Sequence, residues 1–453
     1  MKRYLFVRSK RRVQRRVFLF FIIKNLLTLA KMICIRSRFF RINRILLFVL
    51  GLWPYEQSKF TRLQSILFYI ILISFIVAQF AVFTTSKCTL QIVIEILSTI
   101  FFFIICVLKY NSYHSNMDAV KYLLELLQHT YNELKDENEV AIIEKYWTII
   151  KRNVEMLTLM LFCGIFICGC NTFLPCILHV ILPANKSGPH PSLHIMTEYF
   201  IDQEKYFYLL VMHKEVASCI GTTAIIATGT MNMIFLQHAC GMFMIASYRM
   251  EQATMSLNLK KDNKGNKHLV YMGIIYAIDM HRKAMRYVKL WTSSFNVYYS
   301  FLIVNFVISA SLISFRIYKG LTSGSSLEKL VSPILFLISL YAYIFYANKS
   351  AQEVIDHNNH VFATVYTIRW YVAPLRIQKL VLFLLQKSCK AFNIVIGGLF
   401  VGCLEGFATV KYTRIYAKYI SCFRHMRKLF LISVNKYNNI LLHCHVFCGS
   451  MTY

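Results

Sequence analysis

Residues 65–84 read SILFYIILISFIVAQFAVFT and residues 90–108 read LQIVIEILSTIFFFIICVL, two apolar runs that hold a single formal charge, Glu95. About twenty apolar residues, at roughly 1.5 Å of helical rise each, match the ~30 Å hydrocarbon core of a bilayer. The runs are continuous rather than alternating, so in hydrocarbon they satisfy their backbone groups as helices and not as strands of a barrel. Five more runs follow at 156–182, 208–247, 294–315, 330–347 and 392–413. The fold class expected is an all-α membrane protein with seven transmembrane helices. The run 208–247 is too long for one crossing, so its carboxyl half is expected to continue as a helix into water. The amphipathic stretches 114–152 and 350–390 are expected to be helices wetted on one side.

The composition agrees. The 453 residues are 57% hydrophobic and 15% aromatic, with mean hydropathy +0.49, more apolar than a soluble chain of this length needs for its core. A net charge of +30 invites a nucleic-acid reading, but the cations sit at the two ends and between the apolar runs. Residues 1–55 hold fourteen Lys or Arg and no acid, and seven more follow Glu405 without one. That is the pattern of membrane topology, and no nucleic-acid partner is expected.

Lys and Arg concentrate in the amino-terminal segment and after the second, fourth and sixth runs, among them Lys260, Lys261, Arg282, Arg286, Arg369 and Arg376. By the positive-inside rule the amino terminus is cytoplasmic and, with seven spans, the carboxyl terminus is outside. Asn185-Lys186-Ser187 then falls in an outer loop, where Asn185 is a glycosylation acceptor. Asn348-Lys349-Ser350 repeats the pattern at a cytoplasmic helix end and is read as chance. Residues 17–30 lack a small-residue cleavage site and are too short to cross. Residues 1–31 are set apart as a basic extension, either a gene-model artefact or a membrane-surface arm. Of the fourteen cysteines most lie inside apolar runs, as Cys106, Cys163, Cys168, Cys240 and Cys403 do, and are read as small buried hydrophobes. Cys88 and Cys176 lie near outer helix ends, and spacing alone does not set their connectivity.

A cytoplasmic amino terminus is the reverse of a G-protein-coupled receptor, and short motifs then resemble the odorant receptors of ants and related insects. They are Asn43-Arg44-Ile45-Leu46 with Gly51-Leu52-Trp53-Pro54, and Thr197-Glu198-Tyr199-Phe200 with Glu204-Lys205-Tyr206-Phe207-Tyr208. His238-Ala239-Cys240-Gly241, Ser247-Tyr248-Arg249-Met250-Glu251 and Asp279-Met280-His281-Arg282-Lys283-Ala284 follow. Trp370-Tyr371, Pro374, Gln378-Lys379 and Leu384-Leu385 precede the last run, and Gly397-Gly398 and Leu404-Glu405-Gly406-Phe407 match that run itself. Each is weak alone; their order over residues 32–413, read as one receptor-like domain, is specific. The gustatory branch of the superfamily typically carries a Thr-Tyr pair followed by Gln-Phe in its last span, a motif missing here, so the odorant branch is preferred over a gustatory-type receptor or an unrelated transporter.

The resemblance implies an odour-binding tuning subunit of a heteromeric ligand-gated cation channel in the plasma membrane, partnered by an olfactory coreceptor, with a small volatile odorant as ligand, lipid around it and no cofactor or catalysis. It further implies a cavity in the outer half of the bundle among the second, third, fourth and sixth spans. Candidate walls are Ile94 and Glu95, Phe166 and Phe173, Tyr208 and Met212, and Phe336. Glu95 stands out physically, because an intramembrane carboxylate is costly. Glu405 and Phe407, in the family-like stretch of the last span, are the candidates for a pore or gating role. Asp356-His357-Asn358-Asn359-His360 is read as a polar helix face, and His443-Cys444-His445 with Cys448 is packed too closely in sequence for an ordinary zinc site, so no metal is expected. Beyond Thr413 the family pattern stops: residues 414–453 form an atypical basic tail, and Lys411, Arg414 and Lys418 would put cations where a cation must pass.

Overall fold

The structure, a computed structural model, describes residues 39–85, 89–181, 197–202, 205–255, 264–324, 327–368, 370–388, 392–398 and 400–405, and of 171–181 only the helical backbone. The 1–31 extension, the tail, Cys88, Asn185 and Phe407 lie outside these residues, and nothing is described of the Phe173 and Cys176 side chains. Nine helices are described: α1 (Arg41–Val49), α2 (Lys59–Thr85), α3 (Leu90–Ser115), α4 (Met117–Glu133), α5 (Glu137–Ile181), α6 (Phe207–Met255), α7 (Lys264–Thr322), α8 (Leu327–Thr367) and α9 (Leu375–Ser388). A hairpin of β1 (Val395–Ile396) and β2 (Phe400–Val401) closes the described chain.

Five of these helices, α2, α3, α6, α7 and α8, are long and apolar enough to cross a membrane. The expected third span lies in α5, which is helical through Ile181. Why α2 faces lipid is written in its spacing: Leu63, Ile66, Ile70, Ile73, Val77 and Phe80 are exposed, recurring every three or four residues as a stripe on one helix face. On a helix long and apolar enough to cross a membrane, such a stripe is the face that meets hydrocarbon.

The 59 residues of α7 reach roughly 88 Å at ~1.5 Å per residue, far beyond a bilayer core. With α5, α6 and α8 it runs on into a second unit, the base, where α1, α4 and α9 pack around the helix ends. The expectation that residues 208–247 continue past the membrane is met by one unbroken helix, α6. α6 is the hub, packed against α1, α2, α3, α5, α7 and α8. Close approach explains two of its glycines: a Cβ on Gly221 would sit 2.6 Å from Cys106 Sγ, and one on Gly229 would sit 2.8 Å from the Tyr343 ring. Small residues at such crossings let helices touch where lipid supplies no hydrophobic drive.

The family-like motifs mostly build the base. Asn43 is buried and donates to Thr230 Oγ1 at 2.9 Å. After α1, Gly51 adopts φ 70°, the left-handed conformation glycine takes without strain, and the chain turns so that Leu52 N–H reaches Leu47 C=O. Leu50, Leu52 and Trp53 enter the core, and the Tyr110 hydroxyl caps Leu50 C=O at 2.8 Å. Arg249 makes a two-pronged ion pair with Glu139, 2.5 and 2.7 Å, and His281 shares a hydrogen bond with Asn358.

One expectation needs correction. Residues 392–413 were read as a seventh membrane helix, but Val395–Ile396 and Phe400–Val401 pair as antiparallel strands, so the first part of that run is not helical; residues 406–413 lie outside the described residues. Gly397 and Gly398, at φ 63° and 70°, turn the chain there, and left-handed backbone ends helices and favours glycine. The turn is seated on α7: Asn296 Oδ1 accepts from Gly397 N–H at 2.7 Å, and a Cβ on Gly397 would strike Ser300. Among the described residues helix resumes only at Leu404 and Glu405.

Candidate ligand site

In the bundle above the base, α3 supplies two of the seven expected pocket residues. Ile94 is buried and Glu95 forms an ion pair with Arg316 of α7. Two charges of opposite sign in mutual contact offset much of the cost each would carry alone in hydrocarbon. Lower on α3, Phe102 meets Phe336 of α8 edge-on at 4.6 Å. Phe103, beside it, packs at 4.6 Å on Phe75 of α2. An aromatic row thus ties α2, α3 and α8, with rings in the tilted and edge-to-face geometries that their quadrupoles favour.

The other candidates stand apart from this row. Phe166 on α5 is 72% exposed, and Tyr208 and Met212 at the start of α6 are 58% and 50% exposed. The structure therefore joins Phe336 to α3, and does not bring Phe166, Tyr208 or Met212 into contact with it. Glu405 is exposed just beyond the hairpin, where helix resumes and Gln352 Oε1 accepts from the neighbouring Leu404 N–H at 3.3 Å. His357, in the polar run on α8, donates from Nδ1 to Glu353 C=O and accepts the Tyr146 hydroxyl proton at Nε2, each at 2.6 Å. Its imidazole holds helices together.

Three polar groupings were not read from the sequence. The first is Arg316, the partner of Glu95; its signal was present, a cation closing the apolar run of α7 with Lys319 one turn beyond. The second surrounds Lys109, 2% exposed, whose ammonium lies 4.8 Å from the Tyr299 ring and 4.9 Å from the Tyr343 ring. A desolvated cation between two rings gains about 2 kcal/mol or more per contact. Beside it, Asn232 Oδ1 accepts from the Tyr113 hydroxyl at 2.8 Å and from Trp291 Nε1 at 3.0 Å, while Nδ2 donates to Tyr299. Four helices meet at this junction, α3, α6, α7 and α8. A lysine at a span boundary looks like a snorkelling residue, and the tyrosines that cage it lie about two hundred residues further along the chain.

The third grouping is a relay at the other end of the bundle. The Ser74 hydroxyl donates to Ile71 C=O, so Ser74 Oγ accepts from His213 Nε2 at 3.1 Å. His213 Nδ1 is then left to accept the Tyr199 hydroxyl proton at 2.7 Å. Tyr199 belongs to the short segment before α6, whose Glu198 N–H also donates to Ala78 C=O at 2.9 Å. Together these bonds fasten the segment across α2. Taken as a whole, the site offers apolar and aromatic walls, one ion pair and committed hydroxyls. Such a surface suits non-covalent binding of an apolar molecule.

Long membrane helices resting on a packed helical base define a polytopic receptor-like fold. The profile of the 7tm Odorant receptor family matches residues 89–413, and the chain belongs to that family, one of receptors rather than enzymes. Over 87 residues it is 30% identical to a protein of Drosophila melanogaster named odorant receptor 85d, a match covering 19% of this chain and 21% of that relative. The match thus spans about a fifth of the relative's length. In fold the chain is similar to the olfactory receptor OR5 of Machilis hrabei in complex with eugenol, TM-score 0.67 at 16% identity, covering 84% of this chain and 96% of that one. The same receptor without that ligand gives TM-score 0.64 at 15% identity, covering 86% and 98%.

Proposed function

We propose that this odorant-receptor family member is the odour-binding tuning subunit of a heteromeric cation channel, opened by a small volatile ligand and completed by an olfactory coreceptor in the plasma membrane of a sensory neuron. The observation that carries the reading is the joining of the aromatic row Phe75, Phe103, Phe102 and Phe336, through Phe336, to α8, a helix that runs unbroken into the base. A ligand that binds one helix arrangement more tightly than another shifts the population between them, and helices shared by both units carry that shift beyond the membrane. Membership of the odorant receptor family supports it. So does the base surface, where Tyr366, Tyr371, Leu375, Leu382 and Phe383 are exposed; an apolar patch outside lipid marks a protein contact. Glu95 and Ile94 remain the polar and apolar ends proposed for the pocket, and Glu405 and Phe407 the segment proposed to meet the pore.

The test is electrophysiological. The chain is expressed with an insect olfactory coreceptor, and currents are recorded while volatile panels are applied; inward current that needs both chains is the expected result. Silence from surface-expressed complexes across the panels, or responses confined to soluble tastants, contradicts the reading. The orientation is tested separately with epitope tags at the amino terminus and beside Asn185, which should stain oppositely in unpermeabilised cells. Exposure of the amino-terminal tag would reverse the topology.

A further inference from the structure

We propose that the open trough along α2 is a binding site for an acyl chain of a bilayer phospholipid. The trough has a volume of about 660 Å³ and runs from Ile66 to Ala81, walled by α2 residues such as Ile70, Ile73 and Val77 and overhung by Tyr199 and Phe200. Fifteen helical steps make it roughly 22 Å long, most of the ~30 Å hydrocarbon thickness.

Three observations choose the occupant. The trough opens sideways on the exposed apolar stripe of α2, so it is continuous with the surface that faces hydrocarbon. Its hydroxyls, on Tyr69, Ser74 and Tyr199, have their protons committed to Asn111 Oδ1, Ile71 C=O and His213; plain hydrocarbon needs no donor from the wall. Finally, Phe200 is held at φ 55°, a left-handed conformation that a phenylalanine rarely adopts, by an N–H bond to Glu198 Oε1 at 2.8 Å. Its ring is left 71% exposed at the trough's edge. An apolar ring fixed in that position gains stability when a chain lies against it. A small odorant buries most of its surface when it binds, which an open-sided trough does not provide. The lipid would brace the segment that joins α2 to α6 through the Tyr199, His213 and Ser74 relay.

The full chain is reconstituted in nanodiscs of phosphatidylcholine carrying a diazirine on one acyl chain, irradiated, and the labelled peptides are mapped. Residues 66–81 and the Tyr199–Phe200 segment should be labelled several-fold more than the exposed Leu335 and Ile338 of α8. Ile73→Trp and Ile70→Phe, which fill the trough, should each remove that excess, while Leu67→Trp, on the exposed side of α2 but outside the trough, should leave it. Even labelling of all lipid-facing helices, or equal loss in the trough-filling and control variants, overturns the proposal. Displacement of the label by a saturating volatile ester overturns it too, since the trough would then be a site for volatile ligands.

Discussion

The membrane part and the base are built from the same long helices yet hold together differently. In the base, the largest apolar cluster gathers Trp53, Leu123, Trp147 and Tyr287, with Trp147 stacked on Tyr131 at 4.9 Å and edge-on to Phe40 at 5.4 Å. Ion pairs surround it: Arg249 with Glu139, and Lys283 with Glu133 at 2.8 Å. In the membrane part the clusters are small, as with Leu72, Phe75, Phe103, Ala217 and Ile220. Water drives burial in the base; in lipid the same apolar contact is nearly neutral, and close approach and a few polar pairs must decide the packing. The stability of the chain should therefore reside in the base, and its ligand sensitivity in the part less firmly packed.

Substitutions can break this contrast, and the largest effect is expected in the base. Trp147→Ala should cost about 3–5 kcal/mol through the cavity it leaves, read as a fall in Tm of the solubilised protein. An unchanged Tm would show that the base is not the stabilising unit. Arg249→Met should cost about 3 kcal/mol because the Glu139 carboxylate stays buried without its partner. Adding Glu139→Leu should recover most of that loss, and failure to recover would mean that the pair matters for something other than charge.

Smaller effects belong to the membrane part. Gly229→Ala forces a Cβ onto the Tyr343 ring beside Lys109 and should cost about 1–3 kcal/mol by overpacking. Tyr343→Leu in the same chain should relieve it, as thermal melts of the single and double variants would reveal. Arg316→Leu combined with Glu95→Leu should cost no more than about 1.7 kcal/mol, the upper range for polar pairs between membrane helices. Leu63→Ala, on the lipid face of α2, should stay within about 0.5 kcal/mol. A loss there as large as that of Trp147→Ala would erase the distinction between the two regions.

Much of this organisation was legible in the residues. Helix length and apolar continuity predicted α2, α3, α6, α7 and α8, because hydrocarbon leaves the backbone no other solution. The motifs that resemble odorant receptors are legible for a second reason: Asn43, Trp53, Arg249 and His281 are fixed by partners in the base. The start of the last span was placed too early because hydropathy registers how apolar this stretch is and not that Gly397 and Gly398 reverse the chain. The candidate site was harder. Glu95 announced itself as a lone acid, but its tie to Arg316 crosses more than two hundred residues, and side-chain direction on α5 and the start of α6 depends on helix rotation, which composition does not encode. Phe166, Tyr208 and Met212 were chosen by their place in the outer half of the bundle, a choice that says nothing of the exposure their side chains show in the structure.

The central claim, that this chain itself holds the odorant, is tested most directly by the concentration dependence of ligand-evoked current in Phe336→Ala paired with an unaltered coreceptor. Removing the ring that faces Phe102 should raise the half-maximal concentration about tenfold or more, the equivalent of ~1.4 kcal/mol of lost binding, while the maximal current stays within the range of the unsubstituted complex. A half-maximal concentration that does not move would contradict the claim and place the ligand elsewhere.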